Sequence, residues 1–109
     1  MSNLEKTAKT LLDHNVQKRN AAEKAEQSLT LAYNGGLFKV TPFLIDHTGL
    51  FRDGFDYHYL KDEYDNPIRF TMDEWFEFHK KAKQKYQEVM NDWYNEYEEL
   101  KRVRKPEQL

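Results

Sequence analysis

Four histidines, His14, His47, His58 and His79, are the residues of this chain whose type alone could carry acid–base or metal chemistry. Their spacing does not support it. None stands four residues from another, and none has the His-Glu pattern of a zinc-binding helix. Asp46, His47 and His58 could meet in space, as could His47, Asp53 and His58 in a loop-built catalytic site. Histidines so placed are ordinarily polar loop groups or half-buried ones. Nucleophilic chemistry lacks its parts: there is no cysteine, and Ser2 and Ser28, the two serines, sit in no nucleophile-elbow pattern. Asp62, Glu63 and Asp65 lack the central glycine and closing glutamate of a calcium loop and read as a solvated turn. Tyr33–Gly36 lacks the lysine and glycine spacing of a phosphate-binding loop. The residues therefore predict no catalytic group, no metal and no cofactor.

The chemistry that remains is that of binding. Trp75, Phe78, Ala82, Tyr86, Val89, Trp93, Tyr97, Leu100 and Arg104 are spaced 3, 4, 4, 3, 4, 4, 3, 4. This eleven-residue repeat, about 3.67 residues per turn, keeps a stripe on one face of a nearly straight helix. A heptad register fails, because it would put Lys85, Asp92 and Glu99 in the seam. The first half of the stripe reads as core. In the second half Tyr86, Trp93, Tyr94, Tyr97 and Leu100 read as partner-binding, since aromatic residues concentrate interface energy and a small sheet cannot cover them. An alternative is a nucleic-acid contact through Lys80, Lys81, Lys83 and Lys85, with Trp75, Phe78 and Tyr86 available to stack bases. Acidic blocks on both sides of those lysines oppose it.

The elements that must position these residues are legible from local signals. Ser2 and Glu5 stand at capping-box spacing, and Leu4, Ala8, Leu11, Asn15, Ala22, Ala25 and Leu29, widened by Leu12 and Val16, predict an alanine-rich amphipathic helix over 1–28. Small side chains suit it to lie beside aromatics of the long helix. Leu29 to Val40 alternates with period two around Asn34-Gly35, the signature of a type I′ hairpin. Thr41-Pro42 opens a short helix expected to close at Gly49. Tyr57–Tyr64 and Pro67–Phe70, around Asp65-Asn66, form a second hairpin, and the two hairpins could join in one small antiparallel sheet. Thr71 and Glu74 make a capping box, and Phe70 and Trp75 a hydrophobic staple, for a helix over 71–105 that ends at Lys101–Lys105 and Pro106.

The expected fold is α+β: two terminal helices, the C-terminal one long, packed with a small antiparallel sheet of two hairpins in a single domain, 1–109. Length allows one core. With 39% hydrophobic and 33% charged residues, much of that core must come from seven Phe, seven Tyr and two Trp. A net charge of −2 gives no global attraction to nucleic acid or anionic membrane, and no stretch reads as a secretory signal or a membrane span. The absence of cysteine fits a reducing compartment, and the chain reads as cytoplasmic or part of a soluble assembly.

The runs YNGGLFKVTP, DEYDNPI and KYQEVMNDWYNEYEELKRVRK, spread from Leu29 to Lys105, resemble small uncharacterised proteins of large tailed bacteriophages, including those of cyanobacteria. The resemblance implies a phage-encoded accessory protein, either a minor virion component or a factor acting on a host protein. It transfers no functional residue. Together these readings predict a non-enzymatic binding or assembly module whose partner is itself, a host protein or a virion component.

Overall fold

A computed structural model describes residues 3–50 and 55–103. The order is α1 (Asn3–Ser28), β1 (Thr30–Tyr33), β2 (Gly36–Lys39), α2 (Pro42–Leu50), β3 (Tyr57–Lys61), β4 (Pro67–Thr71) and α3 (Met72–Val103). The α+β class and the long last helix are as expected; at 32 residues α3 is about 48 Å long. The chain forms two compact units. One comprises residues 29–89, and the other residues 1–28 with 90–109. Ser2 of the first expected capping box, and Arg104, Lys105 and Pro106 of the expected helix end, lie outside the described residues.

In the 29–89 unit, Asn34 and Gly35 have φ of 50° and 81°, the two left-handed conformations that a type I′ turn requires. The turn sets the register Thr30↔Lys39 through Tyr33↔Gly36. Thr41 Oγ1 accepts the Leu44 N–H at 3.1 Å, so Thr41 caps α2 and Pro42 sits where its missing N–H costs nothing. Gly49 does not close the helix as expected. Its φ is not positive, and α2 runs on to Leu50.

The hairpins do not join through strand pairing. β1–β2 and β3–β4 are separate two-stranded sheets. Besides the Asn34 amide, which donates to the Arg69 carbonyl at 3.2 Å, they are linked at the turn that follows β3, where Glu63 and Asp65 are exposed as expected but Asp62 is only 5% exposed. Its carboxylate accepts N–H groups from Asn66 (2.8 Å), Tyr64 (3.0 Å) and Leu37 (3.2 Å), while the Glu63 N–H donates to the Leu37 carbonyl at 2.8 Å. Both backbone groups of Leu37, which a two-stranded ladder leaves unpaired, are thus satisfied by the other hairpin. The Asn66 backbone bond is the largest cause holding the Asp62 carboxyl below its ordinary value, against the opposing effect of burial. Asp65 takes φ 63° to let the chain turn.

The hairpins and the first turns of α3 enclose an aromatic core of Phe38, Phe70, Trp75 and Phe78, with Leu31, Tyr33, Leu44, Leu60 and Ile68 around it. Phe78 lies 4.9 Å from Phe38 and 5.1 Å from Phe70 between ring centroids, in the tilted arrangements that aromatic quadrupoles favour. Gly36 is there because nothing larger fits: a Cβ would come within 2.7 Å of Ile68 Cγ1.

In the other unit, α1 buries Ala25 of the expected stripe but leaves Asn15 and the widening residues Leu12 and Val16 exposed. His14, Ala21 and Ala25 are buried and Lys18 is half-buried, at spacings of 4, 3 and 4. Leu12, Asn15 and Val16 are exposed, and Ala22 is half-buried. The side chains of Leu4, Ala8 and Leu11 lie outside the described residues. The hydrophobic pattern of α1 is too weak to set its rotation.

Candidate functional site

The positioning of α3 begins at a cap that the sequence had already marked. The Thr71 N–H donates to Glu74 Oε1 at 2.8 Å, and the Glu74 N–H to Thr71 Oγ1 at 3.2 Å. Phe70 and Trp75 meet at 5.4 Å as the staple. The Thr71 backbone bond is the main cause of a Glu74 carboxyl below its ordinary range. With its start fixed and the interior free of Gly and Pro, α3 has one rotational setting for every side chain that follows.

That setting exposes an aromatic surface on the last third of the helix. Met90, Trp93, Tyr94 and Tyr97 line a depression of about 210 Å³. Tyr94 is 60% exposed and Tyr97 39%, while Trp93 and Met90 are half-buried. Of the expected partner-binding residues, Trp93, Tyr94 and Tyr97 come together. Tyr86 and Leu100 do not line the depression; both are half-buried, and Tyr86 belongs to the 29–89 unit. Met90 was missed because it falls outside the eleven-residue stripe, yet it stands four residues before Tyr94 on the same side of the helix. On one flank the Lys18 ammonium lies 5.4 Å from the centre of the Tyr97 ring, a cation–π contact.

The lysine cluster has a different setting. Lys80, Lys81 and Lys83 are exposed and Lys85 is half-buried. Lys81 is engaged with Glu77 at 3.5 Å and lies over the Tyr33 ring at 5.6 Å. Of the aromatics that a nucleic-acid reading needs beside them, Tyr86 is half-buried, while Trp75 is 1% exposed and Phe78 is fully buried. Trp75 and Phe78 therefore cannot stack on a base. Further along the helix, Glu98 meets Lys101 at 3.8 Å.

Three of the histidines pack in the 29–89 unit. His58 stacks on Trp75 at 4.6 Å, with Nε2 3.1 Å from Met72 Sδ, and His47 meets the same indole edge-on at 6.3 Å. Asp53, their proposed companion, lies outside the described residues. Thr48 Oγ1 stands 2.7 Å from His79 Nδ1, the separation of a nucleophile and its base. This Thr48 is fully buried, however, and its hydroxyl donates back to the Leu44 carbonyl at 2.9 Å. The Thr48–His79 contact thus ties α2 to α3 inside the fold. Sequence spacing could not find it, because the partners are 31 residues apart. Beside the pair, Ile45, Asp46, Gly49, Leu50, His79 and Lys83 line an open hollow of about 460 Å³.

Among the described residues no group of three or more His, Asp or Glu is placed to hold a metal ion, and no helix is long and apolar enough to cross a membrane. Comparison with protein-family models, with curated proteins and with solved structures finds no match.

Proposed function

We propose that this chain is a non-enzymatic protein-binding or assembly module that works through the last third of α3. The supporting observation is the exposure of Tyr94 and Tyr97 beside Trp93 and Met90 around one depression. Large amphipathic side chains held on a rigid helix lose little entropy on binding and concentrate interface energy. The partner is a second copy, a host protein or a virion component. In the setting that the sequence resemblance implies, it is met in the host cytoplasm or in the virion.

A photo-crosslinking amino acid at position 94, in the cells that make the protein, tests this reading. A second label at exposed Phe43 of α2 serves as control. The expected result is a discrete adduct from position 94 that is absent from position 43 and lost on Trp93→Ala. Sedimentation then distinguishes a second copy from another protein. No adduct at position 94, or the same adducts from both positions, overturns the proposal.

A further inference from the structure

At the tip of the first hairpin the Asn34 side chain reaches across to the second. Its amide Nδ2 donates to the Arg69 carbonyl at 3.2 Å, and after the Thr71 backbone N–H it is among the groups that hold the Glu74 carboxyl below its ordinary value. Both partners are acceptors, so the position requires a donor. Asn34 is also the asparagine that a glycine follows, and asparagine is a thermolabile residue. Asn34 is exposed, and no atom beyond the chain neighbours lies within 4 Å of where a Cβ on Gly35 would stand. Water has access to both residues, and no side chain shields the Gly35 nitrogen.

We infer that Asn34 is a self-modification site, at which deamidation turns the tie between the first hairpin, β4 and the start of α3 into a repulsion. The Gly35 backbone nitrogen, giving its proton to water, attacks Asn34 Cγ; the new C–N bond displaces Nδ2, which takes up a proton and leaves as ammonia. Water then opens the cyclic imide at either carbonyl. Aspartate or isoaspartate results, with an added negative charge. Where the amide donated, a carboxylate now faces the Arg69 carbonyl and Glu74. Like charges repel, and neither oxygen group offers the other a proton. The Arg69 guanidinium is already shared between Glu74 and the Tyr57 ring, 4.3 Å away. In the folded chain the side chain must turn from its acceptors towards the Gly35 nitrogen, so the rate of modification reports how often this contact opens.

To test this, the full chain is incubated at mildly alkaline pH, folded and in urea, and peptide mass spectrometry follows each asparagine. Asn34 is expected to convert before Asn15, Asn20, Asn91 and Asn95, and about tenfold more slowly in the folded chain than in urea. Asn34→Asp stands for the product without straining the turn, since aspartate accepts positive φ, as Asp65 does at 63°. Denaturant unfolding should show its folded-to-unfolded ratio about tenfold below the parent's. Glu74→Gln, which preserves the capping box, should recover part of that loss. Aged parent protein should lose stability in proportion to its conversion, a reading that needs no variant. Equal rates folded and in urea, or earlier conversion of other asparagines, overturns the site. An Asn34→Asp chain or a converted parent as stable as the unmodified protein, or a loss that Glu74→Gln leaves unchanged, overturns the repulsion and the inference with it.

Discussion

The two ends of α3 carry the same kind of stripe and meet opposite fates. Near the start, Trp75 and Phe78 are enclosed by rings contributed from both hairpins. Near the end, Tyr94 and Tyr97 stay open, and the contact to Tyr97 is a lysine side chain from α1. Spacing is alike in both places, so periodicity does not decide burial. What decides it is the supply of large apolar side chains from the neighbouring elements. Hairpins that contribute Phe38 and Phe70 can seal an aromatic helix face. Among its described side chains α1 buries His14, Ala21 and Ala25, which bring less volume than those rings.

The contrast is sharpest for truncations at the sealed end. Phe78→Ala should lower stability by about 3 to 5 kcal/mol, read by denaturant unfolding, because the cavity lies among rings that cannot collapse. A loss no larger than that of an exposed site would place Phe78 outside the core. Gly36→Ala comes next, at about 1 to 3 kcal/mol, since its Cβ must displace Ile68. Removing the cap by Thr71→Ala should cost about 1 kcal/mol and fray only the first turn of α3, visible as faster amide exchange at residues 72–75.

Titration should separate further contributions within the same unit. Folded Asp62 and Glu74 lie below their ordinary values of 3.8 and 4.5. Their stabilisation is therefore present above those values and lost as pH falls through the lower folded ones. Asp62→Asn should lower the melting temperature at neutral pH and flatten the acid limb. Tyr33 shifts the other way, up to about 12, by burial first and then by its hydrogen bond to Glu77 at 3.0 Å. Its contribution is complete below pH 10 and is lost as pH rises towards 12, so Tyr33→Phe should remove that part of the alkaline loss. An alkaline limb unchanged in the variant would count against the assignment.

At the open end the expected effect on stability is smallest. Tyr94→Ala should stay within about 0.5 kcal/mol of the parent while weakening association about tenfold. Trp93→Ala is the sharper discriminator, because Trp93 is half-buried. Loss of stability with association unchanged would make the distal aromatics an extension of a core, and the two ends of α3 would no longer differ in kind.

Much of the fold was legible in local signals because each has a local cause. Asn34-Gly35 turns the chain since both residues tolerate positive φ, and Thr41 and Thr71 open helices since their side chains take the N–H groups that a helix start leaves over. The surface residues Trp93, Tyr94 and Tyr97 were legible from composition and spacing. Met90 was not, because methionine off a stripe reads as an ordinary helix former.

What sequence by itself determined is the order of the elements, the starts of α2 and α3, the α+β class and the rotational phase of α3, all set by interactions within a few residues. Tertiary structure alone decided four things. The hairpins meet through Asp62 and not through a shared ladder, Gly36 yields to Ile68, Thr48 finds His79, and α1 buries His14 while Leu12 stays outside. Each depends on groups tens of residues apart satisfying one another's hydrogen bonds or filling one another's volume. Neither requirement leaves a trace in the spacing of either partner alone.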